Sequence, residues 1–277
     1  HALTDEIDQG EILGEAVLEI GDDDTALTLN AKCFEAGMTS FAILLDAIEQ
    51  GTLEPKPQPA GEHKYFGKAD RPAAAATIDF AQPTDKIMRL VRALSFGDGY
   101  ANPLGLPKVR TKTGAYSATR VEAEETNVTA PAGTVLSVTV ESALIATADG
   151  AVRIGALLDA TGEGAPPNTI LTEGDTLPAL SPDEAGRLTM LARELAKGED
   201  HFRARLIGAE NPEVEGLRPA AEARTPQWTA LELQRQANLD ANEVVSALAA
   251  YVARTGHKAR VRIGYADDAL ATLASEH

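Results

Sequence analysis

The 277-residue chain carries 25 Lys and Arg against 42 Asp and Glu, a formal charge of −17, with 44% apolar residues, five His and one Cys. Such an acidic chain repels phosphate backbones at long range, which sets free nucleic acid aside as a partner. No apolar run approaches the roughly 20 residues of a membrane-spanning helix, and the single Cys33 excludes an internal disulfide framework, so the expectation is a soluble, cytoplasmic protein with no membrane partner.

Charge is uneven along the chain, with nets of −10 over residues 1–72, −4 over 73–180 and −3 over 181–277. Ala16-Val17-Leu18-Glu19-Ile20 has strand composition. The turn Gly21-Asp22-Asp23-Asp24-Thr25 supplies N-cap oxygens for a helix over about Thr25–Gln50, ended by Gly51. Leu29, Phe34, Met38, Phe41, Leu44, Leu45 and Ile48 recur at steps of three or four, which predicts one buried face. Cys33 on that helix reads as a buried structural thiol rather than a nucleophile. Pro55, Pro57, Pro59, Gly61, Gly67 and Pro72 then break any helix and mark an extended connector, giving a first boundary at residue 72.

Beyond it, Thr77-Ile78-Asp79-Phe80 reads as a short strand, and Thr84 as the cap of a helix with Ile87, Leu90, Val91 and Leu94 on one face. The pattern then changes to strands at Leu106–Arg110, Tyr116–Ala123, Gly133–Val140, Leu144–Ala148 and Val152–Leu157, which suggests a small barrel. Asp149-Gly150 marks a hairpin, because that pair tolerates positive φ. Ser181-Pro182-Asp183-Glu184 opens a further helix through Leu206 and places a second boundary near 180. A strand near Trp228–Leu233, a helix at about Asp240–Arg254, a strand at Arg260–Tyr265 and a helix at Asp267–Ser275 complete an α/β or α+β grammar.

No phosphate-binding glycine loop, dinucleotide fingerprint, H-E-x-x-H or C-x-x-C spacing occurs. The acids Glu122, Glu124 and Glu125 read as the wet face of a strand, and no metal is assigned. Lys86, Arg89, Arg92, Lys108, Arg110 and Lys112 give residues 73–115 six basic against three acidic groups, enough to meet a nucleic acid or a carrier-protein phosphopantetheine, although a solvated face is the simpler reading.

The informative stretch is Asp8-Gln9-Gly10-Glu11-Ile12, followed by the acidic turn and the long helix. With Tyr65-Phe66-Gly67-Lys68, Ile78-Asp79-Phe80 and Ile87-Met88-Arg89-Leu90-Val91-Arg92-Ala93-Leu94, in that order, residues 1–160 resemble folate-dependent formyltransferases, of the methionyl-tRNA formyltransferase kind. The resemblance covers the second half of their catalytic domain, the linker and the C-terminal barrel. It implies 10-formyltetrahydrofolate as formyl donor, and it assigns Asp8 to orienting groups and handling protons, beside Gly10 in the active-site loop. The family's Asn-x-His-Pro segment is absent, and His1, seven residues before Asp8, does not match its histidine. The isolated chain, which starts on His1 rather than Met, is therefore expected to be an inactive fragment, with residues 1–72 marginally stable.

Leu191–Leu206, Pro226-Gln227-Trp228, Val244–Gly256 and Val261–Tyr265 look like part of a condensation-type segment of nonribosomal peptide synthetases, without its His-His-x-x-x-Asp-Gly string. The expected fold is a partial formyltransferase α/β domain with its linker over residues 1–72, a small OB-like β-barrel over 73–180, and an α/β condensation-like segment over 181–277. The expected function is that of a synthetase initiation module that formylates the amine of an aminoacyl group on a carrier protein, with adjacent synthetase domains as partners. A formyltransferase acting on methionyl-tRNA or an amino sugar nucleotide, and a non-catalytic interaction module, are the alternatives.

Overall fold

The computed structural model describes residues 1–5, 8–59, 61, 65–97, 100, 102–160, 162–206 and 241–256. The chain divides into two compact units, His1–Lys197 and Gly198–His277.

Helix α1 (Ala26–Gln50) begins and ends where local chemistry dictates. The Thr28 N–H donates to the Thr25 hydroxyl at 3.2 Å and the Thr25 N–H to the Thr28 hydroxyl at 2.9 Å, a reciprocal cap. At the other end Gly51 takes the left-handed conformation, φ 67°. The predicted buried face does not form: no residue of α1 is buried, and Phe34, Met38 and Phe41 are 73%, 60% and 57% exposed. Cys33 is exposed with them. Periodicity correctly finds the apolar stripe, but nothing among the described residues covers it. Ala16–Ile20 is irregular rather than a strand. The pairing in this region, among the described residues, is one bridge between Ile12 and Lys56, whose amides exchange hydrogen bonds of 2.7 and 2.9 Å.

The core lies in the strands and in α2 (Thr84–Ala93). Strands β1 (Lys108–Arg110), β2 (Ala115–Ala118), β7 (Leu157–Leu158) and β8 (Gly164–Ala165) form one antiparallel sheet in the order β1-β2-β7-β8. Strands β3 (Val121–Glu124), β4 (Val135–Val138), β5 (Ala143–Ala146) and β6 (Ala151–Ile154) form a second, in the order β3-β6-β5-β4. The predicted strand at 116–123 and that at 152–157 each bend to serve both sheets, and Thr119 to Ala156 and Gly155 to Arg120 backbone bonds of 3.1 and 2.9 Å join the bends. Ile145, Val152, Ile154, Leu157, Val109 and Val135 are fully buried between them, with Ile87 of α2 and the loop residues Ile78 and Phe80.

The β5–β6 hairpin forms with Ala146 opposite Ala151. Its turn is Thr147–Gly150, closed by a 2.9 Å bond from the Thr147 N–H to the Gly150 carbonyl, and neither Asp149 nor Gly150 has a positive φ. Asp149 has a different task. Thr84 is not the cap of α2 but its first residue; its N–H donates to Asp149 Oδ1 at 2.8 Å, and its hydroxyl meets Thr147 Oγ1 at 2.7 Å. These bonds hold the Asp149 carboxyl below its ordinary value, the Thr84 N–H first among them. Thr77–Phe80 contributes one bridge, Thr77 to Lys108, rather than a strand.

Just before it, Ala74, Ala75 and Ala76 run consecutively at φ 50°, 53° and 65°, a left-handed turn that costs an L-residue roughly 1–2 kcal/mol per position. The turn is clamped from three sides: the Thr189 hydroxyl accepts from the Ala74 N–H at 2.8 Å, Lys108 Nζ donates to the Ala75 carbonyl at 2.7 Å, and Ala76 is fully buried. Burial pushes the Lys108 ammonium below its ordinary value.

After the short helix α3 (Pro167–Ile170), α4 (Pro182–Leu206) starts at Pro182, as predicted. Ser181 caps it, its hydroxyl donating to Glu184 Oε2 at 2.8 Å and accepting from the Glu184 N–H at 3.3 Å. Arg110 of β1 reaches Glu184 Oε1 with two nitrogens at 3.0 Å. In the second unit α5 (Ala241–Thr255) confirms the predicted helix. The predicted strands Trp228–Leu233 and Arg260–Tyr265 and the helix Asp267–Ser275 lie outside the described residues.

Candidate functional site

Asp8 and Gly10 sit on a loop that the connector clamps. The Gln58 side-chain amide donates to both the Asp8 carbonyl, at 2.6 Å, and the Gly10 carbonyl, at 2.7 Å. Behind the loop, the Ala2 N–H donates to the Glu11 carbonyl at 2.8 Å. Gly10 is buried against Ala2, where a Cβ would lie 1.8 Å from the Ala2 carbonyl oxygen, so no side chain fits. Asp8 has φ 58°, a conformation that Asp tolerates better than most residues. Its carboxylate is 77% exposed and lies 3.2 Å from His1 Nε2.

This arrangement presents one open carboxylate on a fixed backbone with an imidazole beside it, which suits proton transfer to or from a bound group. An acyl-type transfer also needs donors for the developing oxyanion. Gln58 is the residue that sequence reading missed: it is 48 and 50 positions from its acceptors, and nothing local marks a glutamine between prolines as a clamp.

The six basic residues of 73–115 do not form one patch. Arg110 is committed to Glu184, Lys112 to Asp175 at 2.8 Å, Lys108 to the Ala75 carbonyl and Lys86 to Gln82 at 2.9 Å. Arg89 pairs with Asp85 one turn earlier, and Arg92 stands 4.0 Å from the same carboxylate. Glu122 and Glu124 are likewise paired, with Arg120 at 2.7 Å and Arg153 at 3.1 Å. No group of three metal-ligating side chains occurs among the described residues, and no helix among them is long and apolar enough to cross a membrane.

Residues 72–172, which hold α2, the eight strands found among the described residues and all of the core cluster but Leu177, match the family model for the formyl transferase C-terminal domain. The chain is 34% identical over 160 residues to a methionyl-tRNA formyltransferase of Bordetella petrii, an alignment covering 58% of this chain and 48% of that protein. The chain thus spans about half the length of the curated relative it matches. Among solved structures, a variant of HypX from Aquifex aeolicus aligns at 20% identity with a TM-score of 0.43, covering 59% of this chain and 28% of that one. HypX in complex with tetrahydrofolic acid aligns at 20% identity and a TM-score of 0.40, covering 59% and 27%. It is therefore to the C-terminal domain of the formyl transferases that the two-sheet core of this chain is similar, over residues 72–172.

Proposed function

We propose that the chain is part of a folate-dependent formyltransferase that passes a formyl group from 10-formyltetrahydrofolate to the amine of a carrier-bound aminoacyl group, within a nonribosomal peptide synthetase initiation module. The observation that carries formyl transfer is the match of residues 72–172 to the formyl transferase C-terminal domain, joined to an Asp8-x-Gly10 loop held in a fixed conformation. In the transfer, the amine nitrogen bonds the formyl carbon, the bond from that carbon to the donor nitrogen breaks with its electron pair, and a proton passes from amine to leaving nitrogen. Asp8 orients the amine and takes up the proton in transit, with His1 as its neighbour.

The uncovered stripe of α1 supports a catalytic half completed by further polypeptide. A helix with Phe34, Met38, Phe41, Leu45 and Ile48 at least half exposed is a binding face rather than a solvated one. Donors for the developing oxyanion would come from that further polypeptide. The likeness of 181–277 to condensation-type segments motivates the synthetase setting and the carrier protein as partner.

A second reading takes methionyl-tRNA as acceptor, because the Bordetella petrii relative is a methionyl-tRNA formyltransferase. The charge of −17 argues against it. Full-length protein incubated with 10-formyltetrahydrofolate and either an aminoacyl carrier protein or methionyl-tRNA separates the two. Formyl mass on the carrier is the expected result, whereas formyl on the tRNA alone would favour the second reading. A folded protein that formylates neither would point to an interaction module and overturn both.

A further inference from the structure

A cleft of about 390 Å³ lies between the start of α1 and helix α2 and plays no part in the reading above. Its size falls within the range of small-molecule sites. Ile20, Leu29 and Ala93 form apolar walls, and Asp24, Arg89 and Arg92 line it as polar groups. The first turn of α1 is tied down beside it. The Leu27 N–H donates to the Ser95 carbonyl at 3.1 Å, and Gly97, at φ 74°, lets Leu27 approach where a Cβ would stand 2.6 Å from its methyl.

Arg92 is the unusual group. Its side chain is only 24% exposed, its one ion pair is the long 4.0 Å contact to Asp85, and among the described residues its guanidinium makes no hydrogen bond. Its stem is half-buried, and its N–H donors are used by no protein group among the described residues and are free to meet a ligand in the cleft. The neighbouring acid does not take them. Asp24 accepts from Lys32 at 2.6 Å, from the Gly21 N–H at 2.7 Å and from the Thr28 hydroxyl at 2.9 Å, which together pull its carboxyl down to about 2. Asp22 also lines the cleft and is exposed, so water screens its charge. Asp85 is shared between Arg89 and Arg92, so two guanidiniums have one carboxylate between them.

We propose that this cleft binds a phosphate monoester, its oxyanion held by Arg92 and Arg89 and its organic arm lying on Ile20, Leu29 and Ala93. A carboxylate ligand would bring only the single charge that Asp85 already offers. A phosphate monoester brings close to two charges and three acceptor oxygens, which is what displaces Asp85 from a pair of guanidiniums. The assignment rests on the geometry of the cleft and is independent of formyl transfer.

Inorganic phosphate shares the anion chemistry but not the arm, so calorimetric titration of the full chain with inorganic phosphate, pantetheine 4′-phosphate and unphosphorylated pantetheine tests both parts. The expected result is saturable binding of the ester, about tenfold weaker binding of inorganic phosphate and none of pantetheine. Arg92→Met keeps the buried stem and loses the fork; it should weaken the ester at least about tenfold, while Asp85→Asn, which frees both arginines, should tighten it. Melting curves of both variants confirm that they fold. Absence of saturable ester binding by the parent chain, or undiminished binding by folded Arg92→Met, would overturn the site. Equal affinity for ester and inorganic phosphate would overturn the arm's contribution.

Discussion

Replacing Phe34, Met38 and Phe41 of α1 together by Gln tests whether that helix lacks its packing partner within this chain. Fully burying a side chain of this size is worth about 1.5–3 kcal/mol. With these residues 73%, 60% and 57% exposed, each retains less than half of that, and Gln recovers a few tenths of a kcal/mol in helix propensity at the two Phe positions. The triple variant is therefore expected to unfold within about 1–2 kcal/mol of the parent. Ile154→Ala, at a fully buried position in the centre of the second sheet, should cost about 3 kcal/mol alone. Urea titration followed by far-ultraviolet circular dichroism compares the two. A loss for the triple variant equal to or above that of Ile154→Ala would refute the reasoning, because it would mean that the stripe is core. In protein carrying the complementary half, the same three changes should lower activity steeply.

Ala75→Gly should stabilise the chain by about 1 kcal/mol, since a half-buried Ala at φ 53° carries left-handed strain that Gly lacks; a lower melting temperature in the variant would contradict this. Glu184 is held down to about 2 against an ordinary 4.5, by the Ser181 hydroxyl and N–H first and then by Arg110. A carboxyl with a depressed folded-state value contributes stability that is present above pH 4.5 and lost as pH falls towards 2. The stability gap between the parent and Glu184→Gln should therefore close over that window in thermal melts, and a gap that widened on acidification would reverse the sign of the argument. Gly97→Ala places a methyl against Leu27 at a left-handed position, and should loosen the start of α1; limited proteolysis ought to cut residues 1–60 faster in the variant, and unchanged cleavage would count against the contact.

What could be read from sequence follows the range of the interactions. Both ends of α1 and the start of α4 were legible because Thr25, Gly51 and Ser181 act within four residues of themselves. The hairpin was legible as a pair of strands, but the role of Asp149 was not, since the N–H it caps is 65 residues away. Three alanines at positive φ carry no compositional sign, because what forces the conformation is Thr189 and Lys108, both distant in sequence. The stripe on α1 was visible and its exposure was not, for periodicity reports that a face is apolar without reporting what covers it. Cys33 was misplaced for the same reason. At the candidate sites, Asp8 and Gly10 came from a motif, whereas the Gln58 clamp and the pairing of Arg89 and Arg92 over one carboxylate needed the fold.

The most direct test of a formyl-transferring role is the mass of the acceptor after full-length protein, as the parent or as the Asp8→Asn variant, meets 10-formyltetrahydrofolate and an aminoacyl carrier protein. Asp8 is exposed, so the change should leave folding intact. The account predicts a single formyl addition by the parent and a rate reduced by about 100-fold or more in Asp8→Asn, the usual scale for losing a proton-transferring group. Equal formylation by a folded Asp8→Asn would contradict the role given to Asp8, and no formylation by the folded parent would contradict the account as a whole.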